Sequence, residues 1–237
     1  MFLTNKTTTK LSKISQDKDY LLLGEMHGVK ENALLVEELV DKITSIKTVG
    51  FEYPNEIESA LNQSPPPKKE LLDYSPVQTM LKDGRFSQTH MDVISRLVKK
   101  GIKIICFDPK ISSTDWNERD KGMAKIVMSY RKKLNKNTKI LLICGNMHSR
   151  IDEFDLDSST EKGKNYHYRP FGSYLKNQIN IKFNYLSGQF YNFGLKKFPT
   201  DPEPHKNQLQ KNNKQWLLNI KIANPTRIDN YKKRPRH

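Results

Sequence analysis

Cysteine and long apolar runs are scarce in this chain, and their scarcity excludes several protein classes. The 237 residues include only Cys106 and Cys144, both inside apolar runs, which is typical of reduced, buried thiols. A disulfide between them is the alternative, although a chain of this size does not need one. No Cys/His spacing matches a zinc ribbon or finger, and no apolar run approaches the roughly 18 residues of a membrane span.

The N-terminal lysines are not followed by the hydrophobic region of a secretory signal, so we expect a cytoplasmic protein. Secretion through a dedicated apparatus leaves no readable signal and stays open. Acidic residues are also few: the formal net charge is +15, and eleven Lys or Arg residues against three acids fall in 195–237. No nucleic-acid-binding module is recognisable, so we expect no nucleic-acid partner. Contact of the basic tail with an anionic surface, as in an effector or toxin domain, is one interpretation of this charge.

Four short apolar runs predict buried parallel strands, at 20–23, 48–51, 103–107 and 139–144. Nearly continuous Ile, Leu and Val are typical of strands that are covered on both faces. Segments with helical periodicity lie between them, at 31–43, 89–101 and 116–134. Because strand and helix alternate, we predict an α/β fold with a mainly parallel central sheet flanked by helices.

The pattern changes after the fourth strand. Residues 179–186 and 188–194 alternate apolar and polar side chains, which predicts antiparallel edge strands that turn at Gly188. Earlier, the prolines of SPPPKKE predict a loop, followed by a small helical insertion at 75–84. We predict one α/β domain over 1–198 and a basic C-terminal extension over 199–237, with a further edge strand in WLLNIKIANP.

Polar residues follow each predicted parallel strand, in LLLGEMHG, VGFEYP, IICFDP and LLICGNMH. In open α/β sheets these carboxyl ends border the ligand crevice. The residues expected to meet there are Glu25, His27, Glu52, Asp108, Asn146 and His148. The chain has no G-x-S-x-G elbow, so water rather than a serine is the expected nucleophile.

Glu25 and His27 are two residues apart, so an extended strand places both side chains on one face. A helix-capping carboxylate and a surface histidine are the alternative explanation of this pair. Glu52 lies on a buried strand, where a carboxylate must be paired or protonated, and Arg119 or a histidine is its expected partner. Arg119 lies at the start of a predicted helix, where its charge opposes the helix dipole, whereas capping alone explains Asp120.

The ordered motifs GEMHG, GFEYP, FDP, NERDKGMA and GNMH resemble the erythromycin esterase and ChaN-like superfamily, which includes haem-binding and Tiki-type proteins. The resemblance covers roughly residues 18 to 195. It implies an α/β fold with the site at the strand ends. The catalytic residues it implies are Glu25, His27, Glu52 and His148. The expected substrate-binding residues are Arg119, Asp120, Asp108, Asn146 and Tyr53.

From these residues we predict a hydrolase that acts on a small molecule or peptide with an ester, lactone or amide bond. His27 would take a proton from water, with Glu25 or Glu52 orienting it, and His148 and Arg119 would stabilise the oxyanion. One alternative adds Zn²⁺ or Mn²⁺ held by the two glutamates and two histidines. Another is haem binding without turnover, although no haem-ligand signature is visible. The larger esterases carry a helical lid that this chain mostly lacks, which argues against a macrolide substrate.

Overall fold

The computed structural model describes residues 2–109, 115–156, 166–199 and 208–226. Eight α-helices occur in this part of the chain: Asn5–Ile14 (α1), Lys30–Lys42 (α2), Glu58–Leu61 (α3), Lys68–Asp73 (α4), Ser75–Asp83 (α5), Gln88–Lys99 (α6), Trp116–Lys132 (α7) and Phe171–Tyr174 (α8). Eleven strands occur with them: Tyr20–Glu25 (β1), Ile46–Pro54 (β2), Lys103–Asp108 (β3), Lys139–Gly145 (β4), Phe154–Asp155 (β5), His167–Tyr168 (β6), Gln178–Tyr185 (β7), Gln189–Tyr191 (β8), Leu195–Lys197 (β9), Leu209–Asn212 (β10) and Gln215–Ile220 (β11).

Seven strands form one sheet in the order β10-β11-β7-β1-β4-β2-β3. Every neighbouring pair in it is parallel except β10 and β11, which are antiparallel. The predicted α/β fold with a mainly parallel sheet is therefore confirmed, and the four predicted parallel strands are β1 to β4. β1 and β4 are neighbours in the interior of the sheet. Residues at their carboxyl ends therefore lie near the middle of the row of strand ends that borders the ligand crevice.

Helices cover both faces of this sheet, which explains why the apolar runs are continuous. Leu21 and Leu23 pack into the apolar cluster that includes α2 and α6, whereas Leu22 packs into the cluster with α7 and α8. Cys106 belongs to the first cluster and Cys144 to the second. Both thiols are free and buried, so the interpretation as reduced core cysteines is confirmed.

The C-terminal strands differ from the prediction in one respect. The sequence predicts an antiparallel hairpin over 179–194, but β7 runs parallel to both β1 and β11 inside the sheet, and β8 pairs with β9 in a separate two-stranded sheet. Ile181 and Phe183 are buried and alternate with half-buried Lys182 and Asn184, because one face of the strand is more deeply buried than the other. This alternation is the pattern that the sequence shows. It carries no information about strand direction, which the crossover through α8 sets instead.

Antiparallel pairing near the C-terminus does occur, as the predicted fold class requires, in β8–β9 and β10–β11. The strand predicted in WLLNIKIANP is β11, which joins the sheet beside β7. β10 lies outside it and forms the edge, and its polar sequence LQKN gives no strand signal. The domain boundary at residue 198 stays a prediction, and the basic segment YKKRPRH lies outside the described residues.

Two further helical regions complete the fold. The helix predicted at 75–84 is α5, which ends at Gly84 with a left-handed φ of +81°, whereas α4 begins inside SPPPKKE, where the sequence predicts a loop. The sequence does not predict α1, whose N-cap is the side chain of Thr4. Across the described ranges, no helix combines the length and the apolar character needed to cross a membrane.

Candidate active site

The carboxyl ends of four parallel strands gather the polar residues of the site. Glu25 is the last residue of β1, Asp108 is the last residue of β3, and Glu52 lies near the end of β2. His148 lies in the turn after β4, which ends at Gly145. The strand register places Glu25 opposite Gly145, so the β1 and β4 ends of the site are adjacent.

Glu25 and His27 form a hydrogen-bonded pair. Nδ1 of His27 lies 2.9 Å from Oε1 of Glu25, and because an ionised carboxylate only accepts, Nδ1–H is the donor. Burial raises the pKa of Glu25, and the hydrogen bond from His27 opposes that shift. Nε2 then carries the lone pair of the neutral ring, and no residue in the described ranges forms a hydrogen bond with it. The imidazole, 20% exposed, can therefore present a base to a bound molecule.

Two glycines allow the imidazole to reach this position. A β-carbon on Gly145 would lie 2.9 Å from Nε2 of His27 and 3.7 Å from Oε2 of Glu52. Gly28 has φ +83°, and a β-carbon there would overlap the carbonyl oxygen of Tyr191 at 1.7 Å. The loop of His27 is thus fixed by a close backbone contact with β8, and its ring lies near Glu52 over the backbone of Gly145.

Glu52 is the centre of a charge network. Its Oε1 accepts from Nη2 of Arg119 at 2.8 Å and from Nη1 of Arg85 at 3.2 Å. Its Oε2 accepts the backbone N–H of Gly145 at 2.9 Å. Burial raises the pKa of Glu52, but the positive charges of His148, when that ring is protonated, and of Arg119 and Arg85 outweigh it and hold the pKa well below its usual range. Glu52 is therefore a paired, ionised carboxylate.

Arg119 connects three side chains at the start of α7. Its Nε and Nη2 donate to the two oxygens of Asp108 at 2.9 and 2.7 Å, in addition to the bond from Nη2 to Glu52. Its Nη1 lies 3.0 Å from Nε2 of His148. A guanidinium can only donate hydrogen bonds, so Nε2 of His148 accepts this one and carries no proton. The anionic partners expected for Arg119 are Asp108 and Glu52.

The other nitrogen of His148 faces Asp120. Nδ1 lies 2.8 Å from Oδ1 of Asp120, and the hydroxyl of Tyr168 donates to Oδ2 at 2.6 Å. Burial lowers the pKa of His148, but Glu52 and Asp120 outweigh it and shift the pKa upward. Asp120 is 0% exposed. It therefore positions His148, and a substrate contact of Asp120 stays a prediction.

Two more residues predicted to contact substrate, Tyr53 and Asn146, form hydrogen bonds that support the backbone around the site. Tyr53 is 2% exposed, stacks on Phe51 with ring centroids 5.0 Å apart, and donates its hydroxyl to the backbone oxygen of Arg85 at 2.9 Å. The hydroxyl of Tyr53 thus supports the Arg85 loop, and its substrate contact stays a prediction. Asn146 donates its backbone N–H to the carbonyl of Glu25 at 2.9 Å and so joins the ends of β1 and β4. A substrate contact of its half-buried side chain stays a prediction.

Two residues of the site lack a clear signal in the sequence. Arg85, just after α5, donates from Nε to Asp83 at 2.9 Å and from Nη1 to Glu52. His90, in α6, is 2% exposed and lines a cavity that Glu25 also lines. These contacts depend on how the insertion folds over the strand ends. The only hint in the sequence is the pairing of opposite charges two residues apart in DGR.

The residues do not fit a metal ion. The ligands predicted for the metal-dependent alternative are Glu25, His27, Glu52 and His148. The described residues contain no group of three or more side chains placed to hold a metal ion. The lone pairs that a cation needs are engaged by guanidinium donors, at Oε1 of Glu52 and at Nε2 of His148. The fixed positive charge of Arg119 also opposes a second cation there. Haem does not fit the cavity beside Glu25 either, since its volume is about 10 Å³.

Solved structures with the same architecture are recognisable despite low sequence identity. An erythromycin esterase variant in its open conformation matches with a TM-score of 0.58 and 13% identity, over 95% of this chain and 96% of that chain. A Bacillus cereus protein matches with a TM-score of 0.56 and 10% identity, over 94% and 93%. The type III effector HopBA1 matches with a TM-score of 0.54 and 14% identity, over 90% and 93%. The chain therefore has the erythromycin esterase and ChaN-like fold that its motifs predict.

A structure described as bacterial protein toxins matches over 75% of this chain with a TM-score of 0.51 and 17% identity. The chain spans about a third of that longer protein, at 36% of its length. No protein-family profile matches the chain, and no curated protein matches it. At these identities the likeness concerns the fold, so the chemistry must be argued from the side chains.

Proposed function

We propose that this protein is a hydrolase in which His27 activates water for attack on an ester, lactone or amide carbonyl. The observation that carries this proposal is the Glu25–His27 pair, in which a buried carboxylate holds Nδ1 and leaves Nε2 as a base. A histidine oriented in this way meets the geometric requirement for general-base catalysis, which typically contributes about 10² to 10⁴ in rate.

The two histidines of the site have different roles in this proposal. The lone pair on Nε2 of His148 is occupied by Arg119, so His148 is unsuited to remove a proton from water. The side chains of Arg119 and Arg85 are 23% and 18% exposed, and both approach Glu52. We assign stabilisation of the developing oxyanion to Arg119, with His148 holding its guanidinium in place.

The reaction balances with these groups alone. Nε2 of His27 takes a proton from water while the water oxygen bonds to the carbonyl carbon, and the C=O electron pair moves onto the oxygen beside Arg119. Glu25 stabilises the imidazolium that forms. When the tetrahedral intermediate collapses, the bond to the leaving group breaks and that group takes the proton from His27. The products are a carboxylic acid and an alcohol or amine, and the neutral imidazole is restored.

A small molecule or a peptide is the proposed substrate. Proteins of the same fold include an esterase, a type III effector and bacterial toxins, which is consistent with a hydrolase-like fold. We place the reaction in the cytoplasm, a reducing compartment that suits the free thiols of Cys106 and Cys144. Contact of the basic tail with an anionic surface is a separate part of the proposal.

A panel of esters, lactones, amides and peptides tests the proposal. The wild type is compared with His27→Ala and with His167→Ala, a matched control on an exposed histidine of β6. We expect His27→Ala to lower kcat/KM by at least about 100-fold on the best substrate, because the base is lost, and His167→Ala to leave it unchanged. Equal rates in the three proteins, or no turnover of any substrate by the wild type, contradict the proposal.

A further inference from the structure

A small cavity lies beside Glu25, the residue that holds His27. Its volume is about 10 Å³, and its walls include Glu25, Tyr53, Arg85 and His90. A space of this volume holds one water molecule, provided that at least two polar groups face it. The lining residues carry two carboxylates, since Glu52 also lines the cavity, together with a hydroxyl, a guanidinium and an imidazole, so the cavity is polar enough to keep a water ordered.

One oxygen of Glu25, which lines this cavity, has no hydrogen-bond partner among the described residues. Oε1 accepts from His27, whereas Oε2 is buried and forms no hydrogen bond within the described ranges. A charged carboxylate oxygen in a dry interior is costly, and burial is the main reason that the pKa of Glu25 is raised. To stay ionised and hold His27, Glu25 needs a donor at Oε2.

His90 can donate a hydrogen bond, and its contact with Ser87 determines which ring nitrogen carries the proton. Its Nδ1 lies 2.8 Å from Oγ of Ser87, which also caps α6 by accepting the backbone N–H of His90 at 3.4 Å. Ser87 has no other hydrogen-bond acceptor among the described residues, so its hydroxyl donates to Nδ1, and the ring proton lies on Nε2. Burial and the charge of His27 lower the pKa of His90 to about 3, so the ring stays neutral at ordinary pH.

We propose that His90 is a positioning residue that holds Glu25 through one water molecule in this cavity. Nε2–H of His90 donates to the water oxygen, and the water donates to Oε2 of Glu25. The hydroxyl oxygen of Tyr53 is available to accept the second water proton, since its own proton is donated to the backbone of Arg85. A chain of hydrogen bonds then runs from Ser87 through His90, the water and Glu25 to His27.

This inference deepens the proposed function, because it assigns His90 the task of keeping Glu25 ionised and aligned with the base. It does not need a substrate to be tested. His90→Gln keeps an N–H donor near the same place, whereas His90→Leu has similar bulk and no donor. The two variants therefore separate the donor from the packing of α6.

The first test is a high-resolution crystal structure combined with ¹⁵N histidine NMR. We expect a water between His90 and Glu25, a neutral His90 protonated at Nε2, and a protected Nδ1–H signal from His27. That signal should be lost by exchange in His90→Leu and retained in His90→Gln. No water in the cavity, a His90 ring protonated at Nδ1, or an unchanged His27 signal in His90→Leu overturns the inference, whatever the enzyme hydrolyses.

The second test is kinetic and uses any substrate that the wild type turns over. We expect His90→Leu to lower kcat about tenfold with little change in KM, and His90→Gln to recover most of that loss. A purely structural role predicts equal loss in both variants, or loss that follows the melting temperature. Either of those results overturns the positioning role, and if no substrate is found the NMR measurement alone decides.

Discussion

Nη1 of Arg119 lies 3.0 Å from Nε2 of His148, and this contact separates the roles of the two histidines in the site. Glu52 and Asp120 raise the pKa of His148, yet a protonated ring would set its Nε2–H against the N–H of a guanidinium. The neutral ring fits the contact, with its proton on Nδ1 toward Asp120. His27 is then the imidazole with an available lone pair, and the site contains one base rather than two.

Arg119→Lys tests the contribution of the guanidinium fork. Lysine keeps the charge but cannot bind Asp108 with two parallel bonds while also contacting His148. We expect kcat/KM to fall about 10²- to 10³-fold and the free energy of unfolding to fall by about 1–3 kcal/mol, measured by substrate kinetics and urea denaturation. Arg96→Lys, in an exposed pair with Glu37, is the matched control and should change stability by less than about 0.5 kcal/mol. Full activity in Arg119→Lys would remove this residue from the mechanism.

Glu52→Gln tests the pH dependence of stability. The pKa of Glu52 lies below its ordinary value, so its stabilisation is complete above the pKa of an unfolded glutamate, about 4.3. That stabilisation is lost as the pH falls through the lower pKa of the folded protein. We expect Glu52→Gln to lose about 3–5 kcal/mol at neutral pH, because the buried carboxylate that pairs with both Arg119 and Arg85 loses its charge, and to be nearer the wild type in acid.

Urea denaturation at a series of pH values measures this difference, which isolates Glu52 from other titrating groups. Glu118→Gln is the control, since Glu118 is exposed and pairs only with Lys121 among the described residues. Its stability curve should run parallel to that of the wild type. A constant gap between wild type and Glu52→Gln down to acid pH would show that the charge of Glu52 contributes nothing.

Gly145→Ala tests whether the close approach of the His27 ring to the end of β4 is needed for activity. The added methyl group would lie 2.9 Å from Nε2 of His27, so the imidazole must move away from Glu52. We expect at least about a 100-fold loss of kcat/KM, because the methyl group displaces Nε2 of His27, the proposed base, from its position over the backbone of residue 145. Gly194→Ala is the matched control, since a β-carbon there meets no atom within 4 Å. Equal activity in the two variants would show that the position of His27 is not restricted by Gly145.

Removal of divalent metal should leave hydrolysis unchanged. The ligand atoms that a cation needs on Glu52 and His148 are engaged by arginine donors. We therefore expect the same kcat/KM before and after dialysis against a chelator, measured with the best substrate of the panel. Loss of activity on dialysis, with recovery on addition of Zn²⁺ or Mn²⁺, would contradict this prediction and require Arg119 to move.

The sequence predicts the positions of Glu25, Glu52, Asp108 and His148 well, for a physical reason. Each one follows a continuous apolar run, and parallel strands deliver their carboxyl ends to one edge of the sheet. The direction of β7 is not predictable in the same way, because alternation reports one-sided burial and not the path of the chain. The fold class was readable from local patterns, whereas the neighbours of β7 depend on the whole topology.

Arg85 and His90 could not be found by the same reasoning. Both come from the segment around α5 and α6, where neither strand ends nor motifs mark a site. Both residues reach the site through proximity in space and not in sequence. Arg85, for example, contacts Glu52 although the two residues are 33 positions apart in the chain. Tyr53 stands beside Glu52 in the chain, yet its side chain is buried in the core, which its place in the sequence does not reveal.

The position of β11 beside β7 has a consequence for any shortened form of this protein. A chain that stopped near residue 199 would leave the backbone N–H and C=O groups of β7 that face β11 without partners, along a strand of eight residues. Such an open edge recruits other strands and promotes self-association. Removing the basic tail by cutting there would therefore test solubility as well as charge, whereas a cut after residue 226 would leave β10 and β11 in place.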